Sequence, residues 1–211
     1  MSITELKNKA KNDLKGKYRE SIKLLLMLFG IHLIIGLVLE IINLGTFLVS
    51  SISLILTSAF EFGTISFFLK ISRGEEVDYK ELFKKTNLTF RYIALSTVLV
   101  VIYLIGYIIS LISSQIFFLF GSITMIITCI IITSYSFILY IGLEEPNLNI
   151  KDVFCKSRQM LNGHKIDLFL LGLSFIGWII LGAFTFGLLY LWLFPYMAVT
   201  FSNFYNYLRT I

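Results

Sequence analysis

One uncharged stretch of the chain, residues 168–208, constrains the fold more than any other feature. A helix that crosses the roughly 30 Å hydrocarbon layer needs about 20 mostly apolar residues, and this stretch is about twice that length. It therefore predicts two membrane spans with a reversal between them, which we place around residues 182–187. Hydrophobic residues make up 57% of the 211 residues and charged residues only 15%. Since a soluble domain carries roughly 25% charged residues, the composition also predicts a polytopic membrane protein.

Four more apolar stretches of spanning length precede this pair. They are residues 22–42, 47–71, 93–113 and 116–143. Residues 43–46 separate the first two as a tight turn, because Asn and Gly tolerate the backbone angles of a reversal. We therefore predict an all-α fold, a polytopic membrane helix bundle with six transmembrane helices, forming one integral membrane domain over residues 1–211.

The charged segments ahead of the spans resemble one another. Residues 78–86 and 149–157 align at a constant offset, and Leu14-Lys-Gly-Lys17 matches Leu161-Asn-Gly-His164. Each segment precedes two spans, so the pattern predicts three internal repeats of roughly 70 residues. Their approximate bounds are 1–73, 74–146 and 147–211. Chance similarity in a chain of biased composition is the alternative.

Each of these segments is also amphipathic at helical spacing. In the first, Ile3, Leu6, Ala10 and Leu14 form an apolar stripe, and Lys and Arg occupy the other faces. This pattern is typical of a helix that lies in the headgroup plane, and a solvated cytosolic helix is the alternative. Each repeat is therefore predicted to be an interfacial amphipathic helix followed by a helical hairpin.

The distribution of cations predicts the orientation. All 18 Lys and Arg residues fall in the N-terminal arm, the two long polar loops, their immediate flanks or at Arg209. The opposite connections carry none, so the positive-inside bias places both termini and all three amphipathic helices in the cytoplasm of a multi-pass cell-membrane protein.

The basic residues at the N-terminus are predicted to contact anionic lipid headgroups. These are Lys7, Lys9, Lys11, Lys15, Lys17 and Arg19. Nucleic acid is not an expected partner, because the basic residues are spread along membrane-proximal helices and are not gathered with stacking aromatic side chains.

The sequence carries no recognisable catalytic motif. It contains no phosphate-binding loop, no paired metal ligands and no nucleophile elbow. Only two histidines are present. We therefore expect no enzymatic activity, no cofactor and no metal.

His32 and Glu61 are predicted to form an intramembrane polar pair. Both lie roughly 13–15 Å from the cytoplasmic end of their spans at 1.5 Å per residue, and those spans are joined by a short turn. An ionisable side chain at bilayer depth usually faces the bundle interior and has a partner. The pair either fixes helix packing or forms a proton- or cation-sensing site in a permeation route. Pro195 is predicted to kink the sixth span.

The C-terminal half resembles a known family of small multi-pass membrane proteins, found mostly in Gram-positive bacteria. The residues that carry the resemblance are Ser157-Arg158, Met160, Asn162-Gly-His-Lys165, Leu173-Ser-Phe-Ile-Gly-Trp178, Thr185, Gly187, Leu191-Trp-Leu193, Pro195-Tyr196, Thr200 and Phe204-Tyr205. The family is the domain of unknown function 975 family. The chain departs from its pattern between residues 113 and 133. The resemblance implies a membrane location and topology but no activity and no catalytic residues.

Two functions fit these predictions. The first is a non-enzymatic membrane component that organises lipid or a membrane-protein partner through its basic amphipathic helices. The second is a small-solute or ion transporter that uses the bundle interior near His32 and Glu61.

Overall fold

The computed structural model describes residues 1–41, 60–80, 83, 88–116 and 118–211, and these contain helices and turns but no β-strand. The helices are α1 (Ile3–Asp13), α2 (Tyr18–Ile41), α3 (60–72), α4 (Thr89–Ile116), α5 (Phe118–Thr133), α6 (Ile138–Glu144), α7 (Ile150–Met160), α8 (Lys165–Leu173), α9 (Ile176–Phe184) and α10 (Tyr190–Arg209). The predicted all-α class is confirmed for this part of the chain. The predicted turn at 43–46 lies outside the described residues, as does most of the charged segment 78–86.

The chain divides into two compact units. The first comprises residues 1–92 and 174–211, and the second comprises residues 93–173. The prediction of one integral membrane domain stays a prediction.

Helix α1 begins at a reciprocal cap. The Ser2 hydroxyl accepts a hydrogen bond from the Glu5 backbone N–H at 3.2 Å, and the Glu5 carboxylate accepts one from the Ser2 N–H at 2.8 Å. These two bonds satisfy two of the amide donors that a helix start leaves without partners. The helix ends in a four-residue turn in which Gly16 has φ +76°, a conformation that glycine adopts without strain.

The apolar stripe predicted for α1 faces the interior of the first unit. Leu6, Ala10 and Leu14 are at most 1% exposed, and α1 packs against α10. One core cluster joins residues from α1, α2, α3 and α10. It contains Ala10, Leu14, Leu24, Phe67, Phe68, Ile71 and Val199. The buried stripe therefore binds α1 to the rest of this unit.

A helical hairpin completes the first unit. Helix α9 ends at Phe184, a turn covers residues 185–189, and α10 begins at Tyr190. The Tyr190 hydroxyl donates a hydrogen bond to the Ile179 carbonyl oxygen at 2.9 Å, which ties the two helices together. This turn overlaps the reversal that we predict around residues 182–187 and begins three residues later.

The predicted fourth span, residues 116–143, differs from expectation. Helices α5 and α6 are separated there by a turn at residues 134–137. Ser134 is buried in this turn, and its carbonyl oxygen accepts a hydrogen bond from the Ser157 hydroxyl of α7 at 3.3 Å. The Tyr135 ring packs on the Phe154 ring, with centroids 5.5 Å apart. The hydrogen bond gives the Ser134 carbonyl oxygen a partner on α7, and the ring contact packs the turn against the same helix.

Two helix–turn–helix segments share the same local geometry. Helices α1 and α7 are each 11 residues long, and each follows an extended capping residue, Ser2 or Asn149. A four-residue turn follows each helix, with Gly16 at φ +76° in one turn and Gly163 at φ +84° in the other. The two segments align residue for residue.

Two stretches of the described residues are long and apolar enough to cross a membrane. They are Tyr18–Val38 in α2 and Lys165–Phe184, which comprises α8 and α9 with two turn residues between them. Only 11% of the first apolar window and 22% of the second are buried inside the molecule. A core helix of a soluble protein is mostly buried, so this exposure indicates association with a membrane.

Candidate functional site

Three of the six basic residues that were predicted to contact lipid headgroups lie against other parts of the protein. The Lys7 Nζ donates a hydrogen bond to the Ser174 carbonyl oxygen at 2.9 Å and lies 4.2 Å from the centroid of the Phe175 ring. The Lys11 Nζ lies 5.8 Å from the centroid of the Tyr196 ring. Lys17 donates to the Glu75 carbonyl oxygen at 2.7 Å. Lys7 and Lys17 thus tie α1 and its turn to other segments of the first unit, whereas the Lys11 side chain is exposed.

The environment of Lys7 differs from that of a solvated lysine. Its partial burial, and after that the positive charge of Lys11, lower the pKa of the Lys7 ammonium below its usual value. Both causes disfavour the charged form. The Lys7 ammonium group therefore has its partners within the protein, the Ser174 carbonyl oxygen and the Phe175 ring.

The other three predicted headgroup contacts are exposed. Lys9 lies on α1, Lys15 lies in the following turn, and Arg19 lies in the first turn of α2. We refer to these three residues as the exposed basic set. Lys9 and Lys15 precede the candidate span Tyr18–Val38, and Arg19 is its second residue, so the exposed basic set lies at the start of an apolar helix. This is where cations meet the phosphate groups of a bilayer.

Both members of the predicted polar pair, His32 and Glu61, lie on described helices. The His32 Nδ1–H donates a hydrogen bond to the Leu28 carbonyl oxygen at 2.8 Å, and the side chain is exposed. Glu61 on α3 is half-buried and interacts electrostatically with His32. One nitrogen of the His32 imidazole thus has its hydrogen-bond partner within the same helix. The role of the pair stays a prediction.

Pro195 lies inside α10 and is buried. Proline has no backbone N–H, so it cannot donate the hydrogen bond that an ordinary helical residue gives to the carbonyl four positions earlier. The kink at Pro195 stays a prediction.

The second unit contains a separate candidate site, which was not predicted from the sequence. A cleft of about 570 Å³ lies in the second unit, and Asn162 and Lys165 are among its lining residues. The sequence signal was the position of Lys165 at the start of a long apolar run, but a pattern alone does not reveal a cleft. Among the residues that the structure describes, no three His, Cys, Asp or Glu side chains cluster in a way that would hold a metal ion.

Comparison with known proteins places the chain in a family. The model of the family described as protein of unknown function (DUF975) matches residues 1–211. The match covers the whole chain, so the chain belongs to this family and the resemblance seen in the sequence is confirmed. No curated protein and no solved structure matches the chain.

Proposed function

We propose that this protein is a non-enzymatic, multi-pass component of the cell membrane that gathers anionic lipid at its cytoplasmic face. The observation that carries the proposal is the exposed basic set, Lys9, Lys15 and Arg19, at the N-terminal end of the candidate span Tyr18–Val38. Each cation near the surface of an anionic leaflet contributes up to about 1 kcal/mol. A membrane-protein partner that binds the same cations is the competing form of the proposal.

The proposed architecture has six transmembrane helices in three repeats, each an interfacial amphipathic helix followed by a hairpin. The shared geometry of the α1 and α7 segments supports the repeat, since each helix ends in a turn with a left-handed glycine. The hairpin of α9 and α10 supports the pairing of spans. With two spans in each repeat, every amphipathic helix returns to the cytoplasmic side, as the positions of the cations favour.

Counting the lipid that stays with the protein tests this function. The protein is extracted from its native membrane in polymer-bounded discs, and the anionic lipid per protein is compared with the bulk membrane. Substitution of Lys9→Gln, Lys15→Gln and Arg19→Gln together is expected to lower the enrichment. The matched control, Lys9→Arg, Lys15→Arg and Arg19→Lys, keeps every charge and is expected to retain it.

Two results contradict the lipid form of the proposal. In one, the glutamine variant retains as much anionic lipid as the unmodified protein. In the other, a protein partner co-purifies with the unmodified chain and is lost from the glutamine variant while the lipid content is unchanged. That second result supports the partner form.

The transporter hypothesis is favoured by the half-buried carboxyl group of Glu61 and its electrostatic interaction with His32. Glu61→Gln removes the ionisable group and keeps the shape of the side chain. Loss of solute or ion flux with normal expression and membrane insertion supports the transporter and contradicts the lipid-organising role. An unchanged phenotype supports a packing role for the pair.

A further inference from the structure

A cleft opens in the second unit between α5, α8 and the turn at residues 161–164. Its volume of about 570 Å³ falls in the range of sites that hold a small organic ligand. One part of its lining is apolar and is formed by Ile126, Ile166 and Phe169. The other part is polar and includes Thr133, Asn162 and Lys165.

The polar groups gather at one end of the cleft. Thr133 is the last residue of α5 and Lys165 is the first residue of α8. Ile126 lies two turns, about 10 Å, back along α5, and Phe169 lies about 6 Å further along α8 than Lys165. The lining therefore changes from cationic and polar to apolar along the direction of the helices.

The polar end is suited to an anion. The Lys165 ammonium is a donor with a full positive charge, and Thr133 and Asn162 add a hydroxyl and an amide. The first turn of α8 adds backbone N–H groups and the positive end of the helix dipole. The carboxylate of Asp167 in that turn opposes an anion, but it pairs with His164 at 3.0 Å and lies outside the lining.

The geometry points to a binding site for an anionic phospholipid, with one acyl chain along Ile126, Ile166 and Phe169 and the phosphate at Lys165. This inference depends on the membrane location that the proposed function assumes, and it adds a specific site in the second unit. The candidate span Lys165–Phe184 starts at the residue that meets the phosphate. The polar end of the cleft therefore lies where a headgroup lies.

Native mass spectrometry of the full-length protein, released from discs, tests the site. The probes are phosphatidylglycerol, phosphatidylcholine with the same acyl chains, and glycerol 3-phosphate. Phosphatidylglycerol is expected to bind about fivefold more tightly than phosphatidylcholine, the effect of one surface cation. Glycerol 3-phosphate, which has no acyl chain, is expected not to be retained.

Two variants with matched controls locate the binding. Lys165→Gln is expected to weaken phosphatidylglycerol binding about fivefold, the contribution of that one cation. Lys151→Gln, which removes an exposed cation on α7 outside the lining, is expected to leave it unchanged. Ile126→Trp fills the apolar end and is expected to weaken both lipids about tenfold. Ile123→Trp, at another exposed position of α5, leaves both unchanged.

Three results would contradict the proposed phospholipid site. They are equal binding of the two lipids to the unmodified protein, retention of glycerol 3-phosphate as strongly as of the lipid, and a Lys151→Gln effect as large as that of Lys165→Gln. The cleft variants leave Lys9, Lys15 and Arg19 intact. A negative result with the cleft variants would therefore contradict only the cleft site. A negative result with the variants of Lys9, Lys15 and Arg19 would contradict the proposed function.

Discussion

At the scale of single residues, Gly106 sets how closely α4 and α5 approach. A Cβ atom built on Gly106 would lie 2.9 Å from the Thr128 Cβ and closer still to the two atoms beyond it. We expect Gly106→Ala to lower the free energy of unfolding by about 1–3 kcal/mol, because the helices must move apart. Thermal unfolding in detergent measures the loss.

Gly30 provides the matched control for Gly106. It lies in the apolar helix α2, and nothing lies within 4 Å of the position of a new Cβ. Gly30→Ala is expected to be neutral or to stabilise α2 by up to about 1 kcal/mol, since alanine is the better helix former. A melting temperature that falls equally in both variants would contradict the close approach at Gly106.

A second prediction at the residue scale concerns the hydrogen bond between Asn203 and Asp13. Its side chain is 1% exposed, and its Nδ2 donates a hydrogen bond to the Asp13 carboxylate at 2.8 Å. Asn203→Ala removes that donor, and we expect a loss of about 1–3 kcal/mol in the free energy of unfolding. Asn8→Ala, at an exposed position of α1, serves as the control and should leave the unfolding transition where it is.

The sequence identified the cations of the N-terminal arm but did not separate their roles. Lys7 and Lys9 are two residues apart, yet Lys7 binds the Ser174 carbonyl oxygen and Lys9 is exposed. The apolar stripe of α1 predicts which face is buried. It does not predict which aromatic ring or carbonyl oxygen lies within reach of a neighbouring lysine, because those groups come from Ser174, Phe175 and Tyr196, far along the chain.

At the scale of elements, the docking of α1 depends on its buried stripe. Leu6 is 1% exposed. Leu6→Ala leaves a cavity, and we expect it to weaken the docking by about 2–5 kcal/mol. Hydrogen exchange should show faster exchange of the α1 amides than in the unmodified protein. Lys9→Ala, on the exposed side of the same helix, should leave their protection unchanged, and equal protection in the two variants would contradict the docking.

The two left-handed glycines give a prediction about the helix–turn–helix segments. Nothing lies within 4 Å of a Cβ added at Gly16 or at Gly163, so an alanine there meets only the backbone strain of a positive φ. We expect each substitution to cost about 1–2 kcal/mol. Similar shifts in the two melting temperatures support equivalent turns, and a neutral substitution at either position contradicts its left-handed geometry.

A turn between helices was predictable where the length of an apolar stretch requires the chain to reverse. It was not predictable where the turn depends on contacts with a distant part of the chain. The turn at residues 185–189 was expected because an uncharged stretch of that length cannot be one span. The turn at residues 134–137 interrupts a continuous apolar run. Its partners, Phe154 and Ser157, lie on a helix that the sequence places in a separate polar loop.

At the scale of the whole molecule, the proposed topology predicts which side of the membrane each turn faces. In a background with Cys129→Ser and Cys155→Ser, we expect Phe186→Cys to react with a membrane-impermeant maleimide in intact cells. Phe186 lies in the turn between α9 and α10 and is fully exposed. Lys9→Cys should react only after the membrane is permeabilised. Labelling of both positions from the same side would contradict the proposed topology.

The hydrogen bond between Asp13 and Asn203 has a consequence for biosynthesis. The two residues are 190 positions apart in the chain. At a synthesis rate of about 5–20 residues per second, roughly 10–40 s separate their emergence from the ribosome. During that interval α10 is not yet present, so the apolar stripe of α1 is not covered by its partner helix. If the protein has the proposed membrane location, we expect the lipid headgroup layer to cover the stripe until the final helix has been synthesised.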